Sequence, residues 1–107
     1  METKKIEGDL IIENDYYFDG NLEVIGKIII NNGSLIIVGS IKAGGSIKAG
    51  KYIEAGVSIE AEGSIEAGEK YFIFAGIKLS RNNIVEYGYI YSRINKISNI
   101  GYGWVKN

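Results

Sequence analysis

Short units of alternating apolar and polar residues recur along the middle of the chain. Each unit begins with an isoleucine and has an alanine two positions later, with a lysine or glutamate between them. The isoleucines recur every six residues, at Ile41, Ile47, Ile53, Ile59 and Ile65. A helix would rotate successive isoleucines by roughly 240°, whereas residues an even number apart share one face of a strand. The pattern therefore predicts short strands that point isoleucine and alanine to one side and the charged residue to the other.

A glycine follows the alanine in most units, at Gly44, Gly50, Gly56, Gly68 and Gly76. Glycine adopts backbone angles that are costly for other residues, so we predict that the chain turns a corner at these positions. Glu62 departs from the pattern, and a glycine follows it at once. Short strands joined by corners and sharing one inward face describe a β-solenoid, in which each coil hydrogen-bonds to the next.

The charges favour a coil with three sides. Three units per coil would stack residues 18 apart, placing Lys42 against Glu60 and Lys48 against Glu66. A two-sided coil would stack residues 12 apart and place Glu54 against both Lys42 and Glu66, one attractive contact and one repulsive. We therefore predict an all-β protein, a three-sided β-helix of hexapeptide repeats with strand-rich caps at both ends.

The chain divides into three parts of a single domain. We expect an N-terminal cap over 1–19, the solenoid over 20–78 and an aromatic β cap over 79–107. The unit after Ile65 begins at Ile73, eight residues later, so two residues are inserted near residue 70. In the cap, alternating aromatic residues predict two strands, 85–91 and 100–104, which we expect to pair antiparallel.

Composition disfavours an enzyme. The 107 residues include no histidine and no cysteine, the usual general base, thiolate nucleophile and zinc ligands. The remaining acid–base candidates are Glu54, Glu60, Glu62 and Glu66, which the alternation places on the solvated outer face. We therefore predict no catalytic, metal or cofactor site.

Hydropathy gives no indication of a membrane segment. The longest aliphatic run has four residues, 35–38, against the roughly 20 that a membrane helix needs. The N-terminal residues are interspersed with charges and do not resemble a targeting segment. We expect a soluble, cytoplasmic protein.

Charge is separated along the chain although the net charge is −1. Residues 1–38 hold seven acidic and three basic residues, a net of −4, whereas residues 77–107 hold one acidic and five basic residues, a net of +4. Such complementary ends favour head-to-tail association of solenoids. A self-assembling structural scaffold is therefore one functional hypothesis.

The aromatic tail is the candidate binding site. Its aromatic residues either plug the terminal coil or leave an exposed patch flanked by arginines, a composition typical of protein-binding hot spots. A strand has two faces, so both can hold. Five basic residues spread over 31 positions form a thin patch, which disfavours nucleic acid as the partner. The candidate surface consists of Tyr87, Tyr89, Tyr91, Trp104, Arg81 and Arg93.

The run over 39–68, GSIKAGGSIKAGKYIEAGVSIEAEGSIEAG, resembles two groups of proteins. It resembles bactofilins and related polymer-forming β-helix proteins. With its divergent tail, it is more similar to small proteins encoded in bacteriophages and mobile elements of anaerobic bacteria. The second resemblance implies a protein that binds and blocks a host defence component, as anti-CRISPR proteins do.

Two functions are therefore expected from the sequence. The first is a non-catalytic protein-binding module, a phage-encoded inhibitor whose partner is a bacterial defence protein. The second is a bactofilin-like scaffold whose partner is another copy of the chain. If the charged ends do not drive assembly, we expect instead a fixed homodimer joined through Tyr87, Tyr89 and Tyr91.

Overall fold

The fold is all-β. The computed structural model describes residues 2–76, 89–94, 96–98 and 100–105, and every regular element within them is a strand. The strands are β1 (Thr3–Ile6), β2 (Leu10–Ile12), β3 (Tyr16–Phe18), β4 (Asn21–Val24), β5 (Ile28–Ile30), β6 (Leu35–Ile37), β7 (Ile41–Ala43), β8 (Ile47–Ala49), β9 (Ile53–Ala55), β10 (Ile59–Ala61), β11 (Ile65–Glu66), β12 (Ile73–Ala75), β13 (Tyr89–Ser92), β14 (Ile100–Tyr102) and β15 (Trp104–Val105).

Three parallel sheets form the three sides of a β-solenoid. Sheet A has the order β1-β4-β7-β10-β13-β15, sheet B the order β2-β5-β8-β11, and sheet C the order β3-β6-β9-β12-β14. As far as β12, every third strand joins the same sheet, so three strands and three corners make one turn. The structure confirms the predicted three-sided solenoid, which completes four turns by β12.

The register between coils is the predicted one. Ile41 pairs with Ile59, which places Lys42 beside Glu60, and Ile47 pairs with Ile65, which places Lys48 beside Glu66. Ile53 pairs with Ile73, so the turn is longer by the two residues whose insertion the sequence indicates. The ladder of β9 and β12 is unbroken, because the corner between β11 and β12 absorbs the extra length.

The core is a continuous aliphatic column enclosed by the sheets. Burying each such side chain stabilises the folded state by about 1.5–3 kcal/mol. Neighbouring coils stabilise one another because each inward residue packs against its equivalents one turn away. Its largest fully buried side chains are Leu22, Ile28, Ile30, Leu35, Ile37, Ile41, Ile47, Ile53, Ile59, Ile65, Ile73 and Ile90.

Polar residues that precede the strands link neighbouring coils. The carboxylate of Asp15 accepts a hydrogen bond of 2.8 Å from the Ser34 amide, and the hydroxyl of Ser34 in turn accepts one of 3.1 Å from the Tyr52 amide. On another side, the hydroxyls of Ser40 and Ser58 lie 3.1 Å apart. In the described residues no buried side-chain nitrogen or oxygen lacks a partner. These hydrogen bonds satisfy polar groups at the corners and join each coil to the next.

The corner glycines serve a different purpose from the one that the sequence suggests. Of the five glycines in the repeat, only Gly76 has a positive φ, of 87°. At Gly44 and Gly56, a Cβ would overlap the backbone oxygens of Ile25 and Val38 on the preceding coil. Glycine is required at these corners because neighbouring coils approach too closely for a side chain.

The N-terminal segment is strand-rich, but it is more than a cap. β1, β2 and β3 pair in parallel with β4, β5 and β6, residue by residue as in the later coils. The solenoid ladder therefore begins at Thr3 rather than at residue 20. Leu10 and Ile12 in β2 and Tyr16 and Phe18 in β3 are the inward residues of this coil. They lie outside the Ile-Lys/Glu-Ala-Gly pattern of the repeat, which is why the sequence does not reveal them as part of the solenoid.

The expectation of two antiparallel strands in the tail is wrong. β13 pairs in parallel with β10 and β15, and β14 pairs in parallel with β12. The predicted strand over 100–104 is divided between β14 and β15, which belong to different sheets, and Gly103 with a φ of 115° lies between them. The chain continues to wind in the same direction, so each new strand adds in parallel to the coil before it.

Candidate functional site

The tail tyrosines lie on the outside of sheet A. In β13, Ile90 is buried in the core, whereas Tyr89 and Tyr91 alternate with it on the outer face and are half-buried. For these two tyrosines the expected plug of the terminal coil is wrong, because the inward residue of β13 is aliphatic. Ile90 extends the core, and the tyrosines contribute to the surface.

Two side chains of this outer face are held by glutamates of the preceding coil. The Tyr89 hydroxyl donates a hydrogen bond to the Glu60 carboxylate. This bond, together with burial, raises the pKa of Tyr89 above its ordinary value of 10.0. Arg93 Nη1 lies 3.4 Å from Glu62 Oε2, with 71% of the arginine side chain exposed. Such an exposed ion pair adds little stability, so Arg93 remains accessible to a partner.

The structure brings part of the predicted surface together. The backbone of Trp104 in β15 pairs directly with that of Tyr89 in β13. Tyr87 and Arg81 lie outside the described residues. The described part of the candidate surface is therefore Tyr89, Tyr91 and Arg93, with the position of Trp104 fixed by its backbone.

The four glutamates considered for acid–base chemistry point in different directions. Glu54 lies on sheet C, Glu60 on sheet A and Glu66 on sheet B, and Glu62 follows β10 at a corner. Three of them therefore belong to different faces of the solenoid. In the described residues, no group of three or more acidic, histidine or cysteine residues is arranged to hold a metal ion.

Sheet C carries an aromatic cluster that the sequence analysis did not single out. The rings of Tyr52 and Tyr71 meet edge to face with centroids 4.8 Å apart. Tyr52 also packs against Phe74 at 5.9 Å, and Phe74 against Phe72 at 6.4 Å. Phe72 is 47% exposed and Tyr52 36% exposed. We call these four residues the aromatic cluster.

The two-residue insertion builds this cluster. The Tyr71 amide donates a hydrogen bond of 2.9 Å to the Gly68 carbonyl, which closes a turn over Glu69 and Lys70. The turn presents Tyr71 to the ring of Tyr52 on the preceding coil. The sequence signal was available, since the insertion falls directly beside the run Tyr71-Phe72 and Phe74 occupies an outward strand position.

The aromatic cluster distinguishes sheet C from the other faces. The outer ladder of sheet A alternates in charge, through Lys5, Glu23, Lys42 and Glu60. The corresponding ladder of sheet C is mostly apolar, through Tyr17, Ile36, Glu54 and Phe74. An apolar face on a solenoid whose core is already filled is typical of a surface that another molecule covers.

No match is found when the chain is compared with models of protein families, with curated protein sequences or with solved structures. Within the described residues there is no helix long and apolar enough to cross a membrane. The surface chemistry of the solenoid is therefore the evidence from which a function is inferred.

Proposed function

We propose that the protein is a non-catalytic protein-binding module and that the aromatic cluster is its docking surface. The observation that carries the proposal is the exposure of Phe72 and Tyr52, at 47% and 36%, beside rings that pack outside the solenoid core. Aromatic side chains dominate the energy of protein interfaces because they bury a large area with few rotatable bonds.

The solenoid provides a rigid platform for this surface. Phe74 lies within β12 and Tyr52 directly precedes β9, two strands whose backbones are paired residue by residue, and the adjacent Ile53 and Ile73 are fully buried. Binding therefore requires little ordering of the docking surface, which lowers the entropic cost of association.

The charged surroundings indicate the chemistry of the partner. Lys51 precedes Tyr52, Lys70 precedes Tyr71, and both lysines are exposed. Glu54, which pairs with Phe74, and Glu69, which precedes Lys70, lie beside these lysines, so the edges of the cluster carry both signs of charge. Such an interface is complementary to a partner that surrounds an apolar depression with residues of both charges. The resemblance to small phage proteins favours a bacterial defence protein as this partner, with the chain acting as an anti-CRISPR-like inhibitor.

The test compares three variants of the immobilised protein for capture from a host lysate and for inhibition of the captured defence nuclease. Tyr52→Ser combined with Phe72→Ser removes the aromatic cluster. Tyr91→Ser combined with Arg93→Ser alters the tail surface. Ile11→Ser is the control, because it removes an apolar side chain that is 56% exposed on sheet B, away from the apolar face of sheet C. Circular dichroism verifies that each variant retains its β structure.

We expect one protein to be retained by the wild type, the tail variant and the control, and lost with the cluster variant. Loss with the tail variant alone would transfer the interface to Tyr91 and Arg93 and overturn the role of the cluster. If no captured protein depends on either surface, the binding-module proposal is wrong.

A further inference from the structure

Within the described part of the chain, the first coil has three strand edges without a neighbouring strand. β1, β2 and β3 stand at the ends of sheets A, B and C, and no strand of the described residues pairs with their outer edges. Each edge presents free backbone donors and acceptors on one side. Together the three edges form a complete template for another coil.

The interior of this coil is also incompletely covered. Leu10 is 9% exposed, whereas Ile28 and Ile47, its equivalents on the next two coils, are completely buried. Tyr16 and Phe18 are half-buried inward residues of the same coil. A further coil stacked here would remove apolar surface from water, which favours association.

One inward position breaks the apolar pattern. Lys4 pairs with Leu22, and the same ladder continues through Ile41 and Ile59. Leu22, Ile41 and Ile59 are buried in the core, whereas Lys4 is exposed. The Lys4 ammonium lies 5.8 Å from the ring centroids of both Tyr16 and Phe18. The ammonium therefore lies near the two rings at the end of the core, while the residue remains exposed to water.

A coil added above Lys4 would remove this ammonium from water, and no carboxylate is among the buried residues of the described coils. Burial of an unpaired charge is strongly unfavourable, and inward-pointing charges are one means by which natural sheets prevent edge-to-edge association. We infer that Lys4 closes the N-terminal end of the solenoid against a second copy of this chain, which would otherwise stack there head to tail.

The charges of the two ends favour head-to-tail stacking over stacking of two N-terminal ends. Arg93 and Lys96 lie at the C-terminal side of the described coils, in exposed ion pairs of 3.4 and 3.9 Å with Glu62 and Glu66 of the preceding coil. Exposed pairs of this kind are weak, so both cations remain accessible to an acidic end. Two N-terminal ends would instead bring like charges together. The acidic residues at the corners of the first coil are Glu7, Asp9, Glu13, Asp15 and Asp19.

The scaffold hypothesis requires this end to be open. Because an inward lysine opposes stacking, Lys4 argues against a self-assembling subunit and for a solenoid that does not add further copies at this end. The inference is independent of the aromatic cluster, which lies on the outer face of sheet C rather than at the end of the solenoid.

The test measures the mass of the full chain by sedimentation equilibrium over a wide range of concentrations. Lys4→Leu restores the apolar ladder, and Lys5→Leu is the matched control, because it makes the same substitution at the neighbouring outward position opposite Glu23. Lys4→Arg retains the charge. Lys4→Met is a second variant of similar shape, in case leucine impairs folding, and circular dichroism verifies the fold of each protein.

We expect the weight-average mass of Lys4→Leu and Lys4→Met to rise at least about twofold with concentration and to continue past the dimer, as an open contact requires. The wild type, Lys5→Leu and Lys4→Arg should not associate in this way. Hydrogen exchange should slow at least about tenfold in β1 to β3 of the associated variants, because their edges become paired.

Three results would overturn the inference. The first is that Lys4→Leu and Lys4→Met associate no more than Lys5→Leu does, whether or not any of them associates. The second is association that stops at a dimer, and the third is a wild type that already stacks through β1 to β3.

Discussion

The hydroxyl of Tyr89 donates a hydrogen bond to the carboxylate of Glu60, 29 residues earlier on the preceding coil. This contact joins the tail to the repeat from outside the core. It also gives the folded protein a tyrosine whose pKa is raised, first by the bond to Glu60 and then by burial.

The Tyr89 contact predicts a specific loss of stability at alkaline pH. The hydrogen bond from Tyr89 to Glu60 contributes fully to the free energy of unfolding below the pKa of an unfolded tyrosine, about 10. This contribution is lost as the pH rises through the higher pKa of Tyr89 in the folded protein. At neutral pH, Tyr89→Phe should lower the free energy of unfolding by about 1 kcal/mol. Urea titrations at neutral pH and near pH ~11 should show a smaller difference between wild type and Tyr89→Phe at the alkaline pH. Tyr91→Phe is the control, and an unchanged difference for Tyr89→Phe would contradict the assignment.

The alternation of buried and exposed positions predicts opposite outcomes for adjacent residues. Ile47 is completely buried, whereas Lys48 is exposed. Ile47→Ala should lower the free energy of unfolding by about 2–5 kcal/mol, because it leaves a cavity between coils. Lys48→Ala should change it by less than about 0.5 kcal/mol. Thermal unfolding followed by circular dichroism measures both, and similar losses would refute the proposed faces of β8.

Two neighbouring glycines differ in the space available to them. A Cβ on Gly44 would overlap the Ile25 carbonyl oxygen, whereas a Cβ on Gly45 would come no closer than 3.2 Å to Lys27. Gly44→Ala should therefore destabilise the protein by about 1–3 kcal/mol through displacement of a backbone group. Gly45→Ala should cost less than about 1 kcal/mol, since reduced freedom of the unfolded chain offsets a mild contact. Denaturant midpoints distinguish the two, and the reverse order would rule out close approach as the reason for Gly44.

The hydrogen bond from the Ser34 amide to the Asp15 carboxylate allows the strength of one polar link between coils to be measured. Ser34 itself is only 7% exposed. Asp15→Ala leaves that amide without its partner and should cost about 1 kcal/mol, with faster hydrogen exchange at Ser34. Asp19→Ala removes an exposed carboxylate from the same coil and is the control. Unchanged exchange at Ser34 in the Asp15 variant would show that this link does not protect the amide.

The repeat made the fold predictable because two independent signals agree on it. The even spacing from Ile41 to Ile65 fixes the inward face, and the lysines and glutamates between them fix the register, as the pairing of Lys42 with Glu60 confirms. The direction of strand pairing in the tail was mispredicted because alternation within a strand carries no information about its partner. For the same reason, β1 to β3 were assigned to a cap although they already belong to the ladder.

The aromatic cluster was harder to predict than the core. Its formation depends on the turn between Gly68 and Tyr71, which determines where the ring of Tyr71 lies relative to Tyr52. A shift in periodicity shows that residues have been inserted, but it does not show whether they form a disordered bulge or a tight turn. The position of the insertion could be predicted, and its consequence for the surface could not.

The stacking of each unit on the unit one full turn away limits how such a gene can grow or shrink. Duplication of residues 41–58 would add one complete turn and leave every later strand on its own side, since Ile41 pairs with Ile59. Duplication of a single six-residue unit would instead move every later strand to the next side. If the duplicated unit lay between Tyr52 and Gly68, the aromatic turn at Gly68 would then rest on a corner that lacks the ring of Tyr52. The unit in which this chain can change length without losing its surfaces is therefore the turn, although the unit visible in its sequence is a third of that length.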